Sequence, residues 1–198
     1  MLGGACYFGT MWKVPRLAPT LVRLLAMLCV GVAWSAPAIA QPAPAPDALA
    51  PIAALVGRWT GTTEGQPGKG TVEREYERIL GGRFIQVRNR STYPPQEKNA
   101  KGEVHEDLGI FGVDKARKTV VFRQFHVEGF VSQYVLDPSS SGQRLVMITE
   151  AIENIPAGWR GRETYLIDGG SRLEETFELA EPGKDFEVYS RSRLTRVP

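Results

Sequence analysis

The chain has 198 residues, of which 42% are hydrophobic and 23% charged, and it contains only two cysteines. That length allows one domain plus an extension, and the charged fraction excludes a wholly disordered chain. Two cysteines exclude a disulfide framework or a thiolate zinc finger.

The chain opens on a targeting pattern. Lys13, Arg16 and Arg23 precede an uncharged apolar stretch over residues 24–34, and Ala38 and Ala40 place small residues where a signal peptidase reads them. The pattern predicts a signal peptide over residues 1–40, with Met11 as an alternative start, and an exported protein, periplasmic or secreted. The apolar stretch falls short of the roughly 20 residues a bilayer span needs, so no transmembrane anchor is expected after cleavage. Cleavage after Ala40 would remove Cys6 and Cys29 together, and with them any thiolate chemistry. The leader holds three basic and no acidic residues, which leaves residues 41–198 with a net charge of −1. That balance points away from nucleic acid or an anionic membrane as a partner.

Residues 41–47 are a Pro- and Ala-rich linker, and residues 48–198 form one domain. Asp47 can cap a short helix over 48–56, which Gly57 ends. Beyond Trp59 the helical period disappears. Runs rich in Val, Ile, Phe, Tyr and Thr alternate with turn signals at 66–70, 81–82, 94–102, 114–117, 128–129, 137–142, 154–158, 169–170 and 182–183. Nine turns separate ten strands, with no room for crossover helices. The expected fold is all-β, an up-and-down antiparallel barrel of about ten strands, closed so that no edge stays unpaired.

Hairpin arithmetic gives registers. A turn at Gly81-Gly82 makes paired residue numbers sum to 163, setting Glu73 against Arg90, Glu75 against Arg88 and Glu77 against Gln86 on one solvent face. Arg74, Tyr76, Val87 and Asn89 then face inward. A turn at Pro182-Gly183 sets Glu175 against Ser190 and Phe177 against Val188. A turn at Glu128-Gly129 sets Arg123 against Tyr134, and one at Gly169-Gly170 brings Arg162 toward Phe177. An even-length turn over Asp114–Arg117 makes paired residue numbers sum to 231 and sets His105 directly across from His126.

The run Leu55-Val-Gly-Arg-Trp-Thr-Gly61, entered from a short helix and followed by ten strands, resembles calycin-type barrels: lipocalins, fatty-acid-binding proteins and nitrobindin-like haem-binding barrels. Residues 106–114 and 124–130 are similar to an exported bacterial branch related to the nitrobindin-like group. The resemblance covers roughly residues 48–196 and implies a barrel with an internal cavity. Nitrobindin-like barrels hold haem through a histidine late in the chain, and no histidine follows His126 here.

Two constellations carry candidate chemistry. Arg74, Tyr76, Arg123, Tyr134 and Arg162, with Glu106 and Glu175, are expected to line the cavity. A guanidinium fork beside a phenol suits a carboxylate head group, and fatty-acid-binding barrels use a similar Arg-x-Tyr pair. The same charges can instead neutralise one another. The second constellation is His105 and His126, with Asp107 and Glu128 on the same face, a donor set that suits Zn, Cu or Ni. Val104, Leu108, Ile110, Val121, Phe125 and Val127 occupy the opposite face, which reads as the interior and turns the histidines outward. No nucleophile elbow, metalloprotease helix or phosphate loop is present, so a binder is favoured over an enzyme. The leading reading is an exported barrel holding a small, partly apolar, anionic, lipid-like ligand. The alternatives are a haem- or transition-metal-binding barrel using His105 or His126, and a ligand-free structural protein of the envelope.

Overall fold

A computed structural model describes residues 47–97 and 99–198. The expected signal peptide, and the linker up to Pro46, lie outside the described residues. A short helix, α1 (Ala50–Ala53), is followed by ten strands: β1 (Gly57–Gly65), β2 (Gly68–Ile79), β3 (Phe84–Tyr93), β4 (Glu103–Asp114), β5 (Thr119–His126), β6 (Val131–Leu136), β7 (Arg144–Glu153), β8 (Arg160–Asp168), β9 (Arg172–Ala180) and β10 (Glu187–Arg196). Each strand pairs antiparallel with its neighbours in sequence, and β1 closes on β10. The fold is thus an all-β closed ten-strand antiparallel barrel, as the turn spacing requires.

α1 is shorter than the residue 48–56 span expected from the sequence. Pro51 lies in its first turn, and its N-cap residue Leu49 makes no side-chain cap. Asp47 contributes just outside, where its Oδ1 accepts from the Leu49 amide at 3.0 Å. What holds α1 is burial: Leu49, Ile52 and Leu55 sink into a cluster with Trp59, Val72, Tyr76, Ile85, Phe111, Phe122, Met147 and Leu194. These side chains come from the strand ends joined by the 80–83, 115–118, 137–143 and 169–171 turns, so one half of the barrel is a filled apolar core. The Trp59 indole N–H donates to the Leu55 carbonyl at 2.7 Å. Arg196, at the end of β10, stacks on Trp59 at 4.2 Å and donates to the Val56 and Ala54 carbonyls, satisfying groups the helix end leaves free.

The β2–β3 register is the one expected: Glu73 faces Arg90, Glu75 faces Arg88 and Glu77 faces Gln86. The other four hairpins with an expected register differ. Across β5 and β6 the loop holds three residues, with Gly129 at φ 88° in the left-handed region, so Phe122 faces Tyr134 and Arg123 faces Gln133. Across β8 and β9 the loop is Gly169-Gly170-Ser171, so Glu163 rather than Arg162 faces Phe177. The β9–β10 loop shifts the register by one residue, with Leu179 facing Glu187, and a bulge between Val188 and Ser190 adds another, so Glu175 pairs with Ser192. A slip of one residue exchanges the two faces of a strand, and Arg123 and Arg162 go outside for that reason.

The β4–β5 hairpin is turned over relative to expectation. His105, Asp107, Gly109 and Phe111 of β4, with Phe122, Gln124 and His126 of β5, line the interior. Val104, Leu108, Phe125 and Val127 stay exposed on the outer surface. Gly109 allows this arrangement, because a Cβ there would lie 2.2 Å from the Phe122 ring. In its absence Phe122 stacks on Phe111 at 3.9 Å, and Tyr134 continues the stack.

Candidate functional site

Away from α1 the barrel interior changes character. It encloses a cavity of about 520 Å³ whose wall includes Arg74, Asn89, Asp107, Glu163 and Glu175 and whose mouth is framed by Phe130, Ile155, Trp159, Phe177 and Tyr189. The mouth is apolar and aromatic, and the deeper wall is polar.

A chain of polar contacts runs across that wall. Arg74 forms an ion pair with Glu175, and both side chains are less than a tenth exposed. Arg74 Nε also donates to Asn89 Oδ1 at 2.9 Å, and Asn89 Nδ2 donates to Asp107 Oδ2 at 2.8 Å. The second Asp107 oxygen, Oδ1, is buried with no hydrogen-bond partner among the described residues, as are Gln124 Oε1 and His126 Nδ1. Unpaired buried polar atoms are uncommon and call for an occupant or a role.

Of the ligand-lining residues expected from the sequence, Arg74, Tyr76, Tyr134 and Glu175 face inward, but Tyr76 is buried in the apolar core and does not line the cavity. The other three do not. Arg123 lies on the outer face, where its guanidinium donates to the Phe122 carbonyl at 3.2 Å. Arg162 makes a bidentate pair with Glu178 at 2.5 and 2.6 Å over the Phe186 ring. Glu106 pairs on the surface with Arg90.

Glu163 takes the inward place expected for Arg162, and only the length of the 169–171 loop could have revealed it. It is 3% exposed and accepts a hydrogen bond from the Tyr165 hydroxyl. Burial pushes its carboxyl up to about 8, and the charge of Glu175 acts in the same direction. Arg74, Asp107 and Tyr165 face it as well. The folded chain therefore holds a proton that the unfolded chain, with its ordinary value of 4.5, releases. Stability contributed by this group falls as pH rises between those two values. Thermal melts of the chelator-treated protein should accordingly show wild type losing stability relative to Glu163→Gln as pH rises from about 5 to about 8. Parallel curves for the two proteins would contradict the assignment.

The histidines are neighbours, though not as expected. His126 faces Asp107 across the sheet rather than His105, because the loop after Asp114 holds four residues. Both rings point into the cavity, with centroids 5.6 Å apart. His105 Nδ1 lies 2.8 Å from Glu128 Oε1, and its Nε2 lies 3.5 Å from Asp107 Oδ2. The Asp107 carboxylate first, and then Glu128, raise the His105 imidazole to about 9 against the opposing effect of burial. His126 stacks on Phe130 at 4.0 Å, and burial pushes it down to about 4.

The late histidine through which nitrobindin-like barrels hold haem has no counterpart among these residues. The chain has two histidines; they sit side by side on β4 and β5 with Asp107 between them, and no strand from β6 to β10 carries one.

No protein-family model and no curated protein matches this chain. Among solved structures, the chain is similar to the crystal structure of Rv2717c from M. tuberculosis, with a TM-score of 0.59 and 20% sequence identity over 76% of this chain and 98% of that one. At that identity the likeness shows the barrel fold alone.

Proposed function

We propose that this protein is a calycin-like, exported barrel that binds a small, partly apolar molecule, with the apolar body at the aromatic mouth and a polar head against the inner wall. The observation that carries the reading is the cavity of about 520 Å³, open at one end and lined by aromatic side chains above unpaired polar atoms. Ligand cavities commonly span about 300–1,000 Å³ and combine an apolar lining with a few convergent polar groups. A purely structural barrel would gain more from filling that space, since packed apolar contacts add stability that a void forfeits.

The head group follows from the charges. The cavity wall holds one guanidinium, already paired with Glu175, and the His105 imidazole, already paired with Asp107 and Glu128, against the carboxyl groups of Glu103, Asp107, Glu128, Glu163 and Glu175. That balance favours a head that donates hydrogen bonds over the carboxylate that three inward arginines would have received. Periplasmic or secreted placement rests on the leader and on a domain free of cysteine.

Fluorescent probes with the same apolar body and either an amine or a carboxylate head test this directly. The amine probe should bind and quench Trp159, and Trp159→Ala should weaken binding about tenfold, the loss of roughly 1.4 kcal/mol. Failure of both probes to bind the folded protein would remove the reading, whereas a preference for the carboxylate would restore the anionic head.

A further inference from the structure

We propose that His105, Asp107 and His126 form a binding site for one divalent transition-metal ion, of the Zn²⁺, Ni²⁺ or Co²⁺ class, on the inner wall of the barrel. The inference goes beyond the small-molecule reading and does not depend on which organic ligand fills the mouth.

The geometry is that of a metal centre before the ion draws its ligands in. One ligand atom from each of the three residues lies within 4.8 Å of the others. The His105 Nε2 to Asp107 Oδ2 separation of 3.5 Å is close to the edge of a tetrahedron with arms of about 2.0–2.1 Å, roughly 3.4 Å. Two imidazoles and one carboxylate match the three-ligand sets that leave a coordination position open, and here that position faces the cavity.

The surrounding residues orient the donors. Glu128 accepts from His105 Nδ1–H, so Nε2, which faces Asp107, is the ring nitrogen that can exchange its proton for a metal ion. Ser132 Oγ lies 3.3 Å from His126 Nε2, so a proton held there leaves Nδ1 as the free donor, and Nδ1 is the buried atom without a partner. Asn89, itself held by Arg74, fixes Asp107 through Oδ2, while Oδ1 remains buried and unpaired. Such outer partners set the tautomer and orientation of metal-bound histidines. A simple His105–Asp107 ion pair leaves His126 Nδ1 without a partner; a metal ion held among the three residues gives it one.

The test uses the full exported domain, stripped with a chelator and titrated with Zn²⁺ alone by calorimetry, with Co²⁺ absorption as the spectroscopic readout. One ion per chain is expected, with Co²⁺ developing the ligand-field bands of a low-symmetry N/O site. Glu128→Gln should weaken binding about tenfold, and His126→Gln should abolish the Co²⁺ bands. His105→Gln provides a second ligand variant if His126→Gln proves unstable, and circular dichroism establishes that each variant is folded. No binding by the folded wild type would overturn the proposal. Zn²⁺ binding that is unchanged in the ligand variants would overturn it too, since the ion would then sit elsewhere. Probe binding is measured on metal-free protein, so either reading can fail without the other.

Discussion

Glu175→Ala is expected to destabilise the barrel by about 3–5 kcal/mol, the loss typical when one partner of a buried ion pair is removed. Arg74 and Glu175 reach each other across the lumen from β2 and β9, strands that are not neighbours in the sheet. With Glu175 gone, the Arg74 guanidinium keeps only Asn89 Oδ1 as a side-chain acceptor, and its charge remains out of water. Urea unfolding measures the effect. The pair itself need not add net stability, because desolvating both ions offsets their attraction. Arg74→Met combined with Glu175→Leu should therefore lie within about 1–2 kcal/mol of wild type. If Glu175→Ala proved no weaker than this double variant, the charge left behind would not be the cause of the loss.

The second large effect is at the opposite end. Trp59→Ala should cost about 3–5 kcal/mol, as do other truncations of fully buried aromatic residues. Trp59 is 1% exposed and lies against α1, with the Arg196 guanidinium over its ring. Trp59→Phe separates the contributions: it keeps most of the ring but leaves the Leu55 carbonyl without its indole donor, for an expected loss of about 1–3 kcal/mol. Denaturant midpoints of the two variants check the order. Equal losses would mean that the hydrogen bond, not the packing, dominates.

Strand number, strand order and the β2–β3 register were legible because turn residues and cross-strand charges leave few alternatives: Glu73 and Glu75 each find an arginine directly opposite. The faces of β4 and β5 were not legible from hydrophobicity. The inner wall there carries His105, Asp107, Gln124 and His126, whereas the outer surface shows Val104, Leu108, Phe125 and Val127. Apolar count identifies the inside only where the inside is dry. Arg123 and Arg162 were misplaced for a different reason. Gly-containing loops of two and three residues look alike in sequence, yet one residue reverses a strand. The bulge after Val188 had no signal at all. The candidate site was therefore half visible: its histidines and Asp107 could be grouped by spacing, but not turned inward, and Glu163 could not be seen.

Barrel closure joins the first strand to the last. Trp59 pairs with Arg196 and Glu64 with Arg191, and every contact of that seam spans most of the domain. A chain delivered N-terminus first, from a ribosome or through a translocation pore, cannot shut the ring until residue 196 has emerged. Until then the outer edge of β1 stays open for pairing with any extended segment, including one from a second chain. Contacts this distant in sequence also slow folding. The same seam that leaves the finished molecule without an edge therefore leaves the nascent one with an unpaired β1 edge until β10 arrives.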